Sequence, residues 1–399
     1  MNLFILFLSV ILLKESVSEE IVAHFPTRHG LRHRNREKRQ VLLFPNKEQE
    51  LFKWPNNTVH YYFDEYEFDM SVKEPVLLAM EMISNHTCIK FTTEPSDLVI
   101  KMISDDSKNY CYAAIGHQGR GDTTQVFSFN AACYSAGMAA HELIHSLGFI
   151  HAHQRSDRDQ YLKFRKDLDS LDEEYRMQYD IYKDQEILVP YDYGSIMQYI
   201  DTADEYAPVH KNRFMRKAMG SLIIAYYDYL MINKYYECSC GENNGLKCLN
   251  DGYPNPANCS QCNCPLGFGG DDCSQRPEPG ATLEAKEEWQ NTTIALDAGY
   301  REEIAGKRSQ FDYIYHYLWI TAPANKTTEI RVNSFKEEKC SSNCQFGGVE
   351  IKTNPDPKLT SPRLCCDDTT TQRSLHTPTI VMAFNSEGLD EYTISYRYK

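Results

Sequence analysis

The sequence has little positive charge, few histidines and no long hydrophobic run beyond its amino-terminal end. The 399 residues include 42 basic side chains against 56 acidic ones, and the net charge of -14 argues against a nucleic-acid partner. No apolar stretch after the leader reaches the length of a membrane span. Because only 13 residues are histidine, a regular spacing of histidines is informative.

The amino-terminal segment predicts secretion. Residues 3–13 (LFILFLSVILL) are apolar but too few to span a membrane, and residues 16–18 offer small side chains for cleavage. We therefore expect a signal peptide over residues 1–18 and a soluble, secreted mature protein. The 14 cysteines agree with an oxidising compartment. Candidate glycosylation sites in that compartment are the sequons at Asn56, Asn85, Asn258, Asn291 and Asn325.

The strongest chemical signal is the run HELIHSLGFIH, which begins at His141. Positions i and i+4 of a helix share a face, so His141 and His145 can offer two imidazoles to one ion. Gly148 can adopt a positive φ and end the helix, which lets the chain bring His151 to the same ion. Three neutral nitrogens and a water form an open zinc site of the catalytic kind. Glu142 is then close enough to act on that water.

Two readings of these motifs have to be separated. HExxH alone is equally compatible with a buried amphipathic helix that carries two hydrogen-bonded histidines. The extended pattern HExxHxxGxxH, followed by a turn that contains methionine, is the metzincin signature. Residues 191–199 (YDYGSIMQY) supply such a turn around Met197. Taken alone, this segment could also be a tyrosine-rich surface turn.

The histidine motif and this turn together resemble the astacin family of metzincins. Residues 141–159, which end in QRSDRD, and the SIMQY turn at residues 195–199 carry the resemblance, and the similarity extends over residues 54–238. Two positions depart from the family pattern. Ala152 stands where the family has glutamate after the third histidine, and Gln198 stands where it has histidine in the turn.

The resemblance implies a role for each motif residue. It implies one Zn²⁺ per chain, bound by His141, His145 and His151. Glu142 would be the general base, and Tyr199 would be the tyrosine that stabilises the oxyanion. We expect Met197 to pack beneath the site. A charged run beside the motif is more typical of a structural polar network than of catalysis, and comprises Arg155, Asp157 and Arg158.

The basic segment at residues 19–39 ends in REKR and resembles a furin-type processing site, so we expect it to be a short propeptide. A solvated charged linker is the alternative. Its histidines, at positions 24, 29 and 33, lack a ligand spacing. The segment contains no aspartate, so the zinc-blocking aspartate usual in the family is absent.

The predicted fold class is α+β, with a two-lobed metzincin catalytic domain over residues 40–238. We expect strands at Thr58–Phe63, Asp97–Ile103, Cys111–Ile115 and Thr124–Phe129, and helices at Val72–Ser84, Met138–Leu147 and Leu222–Tyr235. By resemblance, the strand at Cys111–Ile115 is the sheet edge along the cleft, where an extended peptide could pair with it. The family also implies two disulfides, Cys88–Cys238 and Cys111–Cys133.

A small cysteine-rich segment at residues 239–274 resembles an EGF-like module. It is too short to bury a core and needs its bridges. The resemblance implies the pairs Cys240–Cys259, Cys248–Cys262 and Cys264–Cys273. A zinc ribbon is the alternative, which secretion disfavours. Residues 275–280 (QRPEPG) are expected to be a linker.

The carboxyl-terminal part, residues 282–399, is expected to be an all-β sandwich that resembles a CUB domain. Alternating segments predict strands at Tyr317–Ile320, Ile330–Val332, Val349–Ile351, Thr379–Phe384 and Tyr392–Tyr396. Because the usual early cysteine of a CUB domain is missing, the sequence leaves open how four cysteines pair: Cys340, Cys344, Cys365 and Cys366.

We therefore expect a secreted zinc endopeptidase that cleaves extracellular proteins or peptides, with a CUB domain that could bind a protein ligand. The alternative is a non-catalytic adhesion or ligand-binding protein with a decayed protease domain. Decay usually removes a metal ligand or the base, and the sequence retains all four of these residues. The departures at Ala152 and Gln198 affect supporting positions only.

Overall fold

The computed structural model describes residues 41–42, 53–117, 124–165, 167–168, 176, 178–182, 185–201, 206–208, 213–241, 245–297, 312–337, 339–386 and 390–399. The expected signal peptide (residues 1–18) and the whole of the expected propeptide (residues 19–39) lie outside these ranges. Within them, no helix has the length and apolar character needed to cross a membrane.

A five-stranded sheet in the order β3-β2-β4-β6-β5 forms the upper lobe of the amino-terminal half. Its strands are β2 (Thr58–Phe63), β3 (Lys90–Thr92), β4 (Val99–Ile103), β5 (Tyr112–Ala113) and β6 (Thr124–Ser128), while β1 (Val41–Leu42) lies in another ladder. The pairs are parallel except that of β5 with β6, which is antiparallel. β5 is therefore an edge strand, as the family resemblance implied, although it is shorter than expected.

Three α-helices pack with this sheet: α1 (Lys73–Ser84), α2 (Ala136–Ser146) and α3 (Tyr226–Tyr235). In α1 the buried side chains recur at helical spacing, at Val76, Ala79, Met80 and Ile83. All residues of α2 are buried, so the helix crosses the middle of the lobe. These helices and the sheet share one hydrophobic core.

The two later helices begin where a side chain caps them, and not at the predicted residues. α2 begins two residues before Met138 because the Ser135 hydroxyl accepts a hydrogen bond from the Met138 N–H at 3.1 Å. α3 begins at Tyr226, and not at Leu222, because the Asp228 carboxylate accepts from the Ala225 N–H at 2.9 Å. In both cases the apolar pattern indicated the helix but not its start.

The lower lobe contains two short antiparallel ladders. β7 (Leu162–Phe164) pairs with β9 (Tyr206–Pro208), and β1 pairs with β8 (Gln185–Glu186). A small core of tyrosines, methionines and one leucine lies here, formed by Leu162, Tyr179, Tyr191, Tyr193, Met215 and Met219. The disulfide Cys88–Cys238 joins the end of α1 to the chain beyond α3.

The cysteine-rich segment folds as one hairpin, β10 (Tyr253–Asn255) with β11 (Asn258–Asn263). Its bridges are the three that the resemblance implied: Cys240–Cys259, Cys248–Cys262 and Cys264–Cys273. Two of its asparagines bind the backbone just beyond the end of α1: Asn255 and Asn263 donate to the carbonyl oxygens of Asn85 and His86 at 2.8 Å. The segment is therefore fixed against the upper lobe.

The C-terminal sandwich has a five-stranded sheet in the order β12-β14-β19-β16-β17 and a four-stranded sheet in the order β13-β20-β15-β18. Its strands are β12 (Gly280–Glu284), β13 (Gln290–Leu296), β14 (Ile314–Thr321), β15 (Thr328–Lys336), β16 (Gly347–Ile351), β17 (Arg363–Leu364), β18 (Thr371–Ser374), β19 (Thr379–Asn385) and β20 (Asp390–Tyr398). Each predicted strand lies inside one of these. The predicted linker at residues 275–280 ends sooner than expected, because Gly280 already pairs with Tyr317.

All 14 cysteines of the chain are paired. In the sandwich the structure joins Cys340 to Cys366 and Cys344 to Cys365, which answers the pairing that the sequence left open. The bridge Cys111–Cys133 precedes α2, as the family resemblance implied.

Candidate metal centre

The helix α2 presents His141 and His145 one turn apart on one face. Both side chains are buried, at 4% and 1% exposure. The helix ends at Ser146, and Gly148 stands just beyond it, with a φ of 102° in the region that favours glycine and an N–H that donates to the His145 carbonyl at 2.8 Å. The chain then doubles back and places His151, 2% exposed, against the other two imidazoles.

The three imidazoles converge on one point. The Nε2 atom of His151 lies 3.2 Å from that of His141 and 3.0 Å from that of His145. The other ring nitrogen, Nδ1, contacts the Ile196 carbonyl at 2.7 Å in His141 and the Phe149 carbonyl at 2.7 Å in His145. A carbonyl can only accept, so each Nδ1 carries the proton and each Nε2 presents a lone pair.

This arrangement fits a zinc ion. Lone pairs that face each other at about 3 Å repel unless a cation lies between them. Two nitrogens at about 2.1 Å from one tetrahedral zinc lie about 3.4 Å apart, close to the separations seen here. Burial lowers the pKa of His141 to about 4, an effect that the hydrogen bond to Ile196 partly offsets, and it lowers the pKa values of His145 and His151 well below their usual range. The neutral form that binds metal is therefore the stable one at neutral pH.

Glu142 lies next to this cluster with one carboxylate oxygen uncommitted. The side chain is 1% exposed, and its Oε2 atom has no hydrogen-bond partner among the described residues. Burial raises the pKa of Glu142 to about 8, and a hydrogen bond from the Ala113 backbone opposes that rise. A buried carboxylate oxygen without a hydrogen bond lowers the stability of the fold, so such an atom is typically retained for a functional reason. Its position suits proton transfer to and from a reacting water.

The turn at residues 191–199, called the Met-turn below, contacts two of the three histidines through Ile196 and Tyr199. The Asp228 carboxylate fastens it by accepting from the Ser195 hydroxyl at 2.6 Å and the Ile196 N–H at 2.9 Å. The Ile196 carbonyl in turn orients His141. Met197 is fully buried in the core, as the sequence predicted for its packing role.

The ring of Tyr199 packs against the histidine cluster, while its hydroxyl is directed to Gln178. Its ring centroid lies 4.2 Å from that of His151 and 4.2 Å from that of His153. The hydroxyl donates to Gln178 Oε1 across 3.4 Å, a long hydrogen bond. Burial raises the pKa of Tyr199 well above its usual range, and the negative charge of Glu142 adds to the rise. The phenol is therefore neutral and able to donate.

Several supporting residues were not identified from the sequence. Gln154 contacts the Nδ1 atom of His151 at 3.2 Å, and the ring of His153 stacks on His151. Gln154 lies three residues after His151 in a short 3₁₀ turn, so its spacing was the available signal. Gln178 is distant in sequence from both motifs, and no local pattern pointed to it. Asp192 lies within the Met-turn, but its neighbours in the sequence gave no sign of its role.

The two departures from the family pattern are both accommodated. Ala152 is buried, and its N–H donates to the Met197 carbonyl at 2.8 Å. The Gln198 amide accepts from the Tyr191 hydroxyl and donates to the Tyr199 carbonyl at 3.1 Å. Gln198 therefore links the first and last residues of the Met-turn, of which Tyr191 belongs to the aromatic core of the lower lobe.

The charged run beside the motif forms a polar network, as expected. Arg155 is buried and makes two hydrogen bonds of 2.9 Å to the Asp157 carboxylate. Arg158 donates to the His153 carbonyl at 2.8 Å and also to the Tyr179 carbonyl. These contacts brace the chain that follows His151.

The candidate glycosylation sites are all exposed: Asn56, Asn85, Asn258, Asn291 and Asn325.

Comparison with known proteins agrees with this site. A family profile described as Astacin, a family of peptidases, matches residues 46–237. Zinc metalloproteinase nas-22 of Caenorhabditis elegans is 61% identical over 377 residues, which cover 92% of this chain and 100% of that protein. Zinc metalloproteinase-like protein nas-21 of the same organism is 48% identical over 366 residues, 91% of this chain and 89% of that protein.

A solved structure is also similar to part of the chain. High choriolytic enzyme 1, a hatching enzyme zinc-protease from Oryzias latipes (medaka fish), is 25% identical, with a TM-score of 0.43, and the match covers 50% of this chain and 100% of that one. The relatives and the family profile define a zinc-dependent metalloendopeptidase that uses one zinc ion. The chain belongs to the astacin family of peptidases. A non-catalytic ligand-binding protein is not favoured.

Proposed function

We propose that this endopeptidase hydrolyses peptide bonds of extracellular proteins, and that His141, His145 and His151 hold its zinc. The single observation that carries the assignment is the convergence of three buried Nε2 lone pairs on one point. The three ligand atoms lie within 4.8 Å of one another. Their Nδ1 atoms contact only acceptor oxygens in the contacts described above, so their orientation is fixed in advance.

The chain's own residues divide the chemistry between them. Zinc, when bound, activates water and polarises the scissile carbonyl. Glu142 takes the proton from the attacking water through its unpartnered oxygen and later passes it to the leaving amine. Tyr199 donates its hydroxyl to the negative charge that develops on the carbonyl oxygen, after giving up its long hydrogen bond to Gln178.

The edge strand β5 supports a peptide as the substrate. It borders the sheet on one side only, so its outer edge can accept an extended chain through backbone hydrogen bonds. Its residue Ala113 also contacts Glu142 through the backbone N–H. A peptide that pairs along this edge therefore passes beside the proposed base. Backbone pairing admits many side chains, which suits the cleavage of varied sequences.

The domain organisation that we propose is that of a secreted precursor. It comprises a signal peptide (1–18), a propeptide (19–39), the astacin domain (40–238), an EGF-like module (239–274) and a CUB domain (282–399). Residues 280 and 281 already belong to the first strand of the CUB domain. Seven disulfides and five exposed sequons support passage through an oxidising compartment. We propose that the CUB domain takes part in protein recognition.

The test is metal analysis and proteolysis by the mature protein that starts at Gln40. We expect one zinc per chain and cleavage of a peptide library that a chelator stops and added zinc restores. His141→Ala should remove both zinc and activity. His60→Ala is the matched control, because His60 lies on β2 and contacts the Glu94 carbonyl outside the site. A mature wild-type protein without zinc would overturn the assignment.

A further inference from the structure

A buried carboxylate of the Met-turn is satisfied by a residue of the C-terminal sandwich. Asp192 is 3% exposed. It accepts from the Thr360 N–H at 3.2 Å and 3.1 Å through its two oxygens, and from the Thr360 hydroxyl at 3.1 Å. Within the turn it accepts from the Gly194 N–H at 2.9 Å. Most hydrogen bonds of this carboxylate thus cross from one domain to the other.

Thr360 is held firmly on its own side. Its neighbour Ser361 donates its N–H to the Glu350 carboxylate at 3.0 Å, and Arg363 pairs with the same carboxylate at 3.1 Å. Glu350 and Arg363 are almost completely buried. Arg363 also reaches across the boundary and donates to the Ser221 hydroxyl at 2.9 Å. These contacts hold in place the loop that carries Thr360, so that Thr360 can orient the carboxylate of Asp192.

Apolar packing joins the two domains beside this polar contact. Ile223, which lies just before α3, is 5% exposed and belongs to a cluster with side chains of the sandwich. That cluster includes Tyr313, Tyr317, Met382 and Phe384. Burial of these side chains favours docking because it removes apolar surface from water. The Asp192–Thr360 contact is thus part of a packed interface.

Two hydrogen bonds, joined by the backbone of residues 194–196, connect this contact to His141. Asp192 fixes the Gly194 N–H, the next residues Ser195 and Ile196 are fastened by Asp228, and the Ile196 carbonyl orients His141. Two buried carboxylates therefore hold the Met-turn in place. Asp228 accepts hydrogen bonds from the catalytic domain, whereas most of those that Asp192 accepts come from the sandwich.

We propose that the C-terminal sandwich is a working part of the metal centre, in which Thr360 positions the Met-turn and, through it, the zinc ligand His141. This inference rests on the proposed function, because it takes His141 to be a ligand. Groups that orient metal ligands typically change metal affinity about 10–100-fold when lost. The sandwich then acts on the chemistry itself, in addition to any role in recognition.

Gly194 offers a direct test, because the three atoms nearest to a side chain built there all belong to Thr360 of the sandwich. Its φ lies outside the left-handed region, so alanine suits the backbone of the turn. A Cβ atom would, however, lie 2.3–2.5 Å from the Oγ1, Cγ2 and Cβ atoms of Thr360. Gly194→Ala in the full chain should therefore push Thr360 and the Met-turn apart. Adding Thr360→Gly removes the obstructing side chain and should relieve the clash.

The first readout is the rate at which a chelator strips zinc from the protein, with kcat and KM measured in parallel. We expect Gly194→Ala to lose zinc about tenfold faster and to lower kcat with little change in KM. Because Thr360→Gly also removes the hydroxyl that donates to Asp192, Gly194→Ala/Thr360→Gly is compared with Thr360→Gly alone, and the two should release zinc at the same rate. A double variant that loses zinc about tenfold faster than Thr360→Gly, or a Gly194→Ala protein with unaltered zinc release, would overturn the proposal.

A second pair of variants covers the case in which Gly194→Ala does not fold. Thr360→Val removes the hydroxyl donor at nearly constant volume, and Thr360→Ser keeps it. Zinc release should be faster in Thr360→Val than in Thr360→Ser, and equal rates would contradict the role assigned to Thr360. His141→Ala separates the two hypotheses. If wild type holds zinc that His141→Ala loses, while all variants at Gly194 and Thr360 keep it normally, only this inference fails.

Discussion

The Nδ1 atom of His141 lies 2.7 Å from the carbonyl oxygen of Ile196, although 55 residues separate them in sequence. The helix that carries the histidine motif is thereby tied to the Met-turn through the proposed metal ligand itself. Two motifs that are separate in the sequence are thus one unit in the structure, and we expect disturbance of the turn to reach a metal ion held by His141 through this bond.

We expect Asp228→Ala to destabilise the protein by about 3 kcal/mol or more, because it leaves buried donors without an acceptor. Those donors are the Ser195 hydroxyl, the Ile196 N–H and the Ala225 N–H. Denaturant unfolding of the full chain measures the effect. Asp228→Asn is the matched control, since it retains one acceptor oxygen and should fall between the wild type and the alanine variant. A loss below about 0.5 kcal/mol for alanine would refute the role given to this carboxylate.

Glu142→Gln should keep zinc and lose nearly all turnover. The amide has the shape of the carboxylate but cannot accept a proton from water at neutral pH. Zinc content and single-turnover cleavage of a peptide should be measured on the same preparation. Glu81→Gln, an exposed position on α1, serves as the control and should leave both unchanged. Turnover that survives in Glu142→Gln would show that another group is the base.

Tyr199→Phe should lower kcat by ~100-fold with little change in KM, as expected for a donor that acts on the transition state. The ring contacts with His151 and His153 are retained, so packing and zinc content should hold. Tyr193→Phe is the control within the same turn, because its hydroxyl donates to the Tyr161 carbonyl away from the metal. The assignment is wrong if Tyr199→Phe raises KM and leaves kcat as it was.

Removal of the Cys88–Cys238 bridge should cost more stability than removal of Cys111–Cys133. The first closes a loop with a sequence separation of 150 and the second one of 22. On the chain-entropy account these loops correspond to about 5 and about 3 kcal/mol. Unfolding of the two Cys→Ala pair variants gives the comparison. The reverse order would mean that strain or residual structure outweighs loop length here.

The convergence of the three histidines could be predicted from the sequence because these residues are local. The motif from His141 to His151 fits one helix and one turn, whose spacing alone brings three nitrogens together. The strands were also found, since β-branched and aromatic runs such as Thr58–Phe63 mark them. Helix starts were missed where a polar side chain decides them, as Asp228 does for α3.

Contacts that join distant segments could not be predicted. Nothing near Asp192 in the sequence indicates that Thr360 lies against it, 168 residues later. The link from Tyr199 to Gln178 is of the same kind. The cysteine pairing in the sandwich was also open, because Cys365 and Cys366 are adjacent and only the fold decides which of them joins Cys340.

The last prediction concerns maturation after Arg39. In the resembling family the freed amino terminus inserts near the glutamate that follows the third histidine, and a buried ammonium needs such a partner. Here that position is Ala152, which is buried and offers no charge. Cleavage after Arg39 would leave Gln40 first, and an amino-terminal glutamine can cyclise and lose its charge. We therefore expect activity not to depend on a charged terminus at Gln40.

Mature protein that starts at Gln40 should be compared with forms that keep a few preceding residues. Val41 and Leu42 pair with Glu186 and Gln185 in a two-stranded ladder, and extra residues ahead of Gln40 leave that pairing intact. We expect kcat/KM to change by less than about tenfold on extension, or ~1.4 kcal/mol of transition-state stabilisation. A larger fall would show that burial of the terminus still matters. The matched arm is a Gln40→Ala start, which cannot cyclise and should behave like the wild type if the charge at the terminus is immaterial.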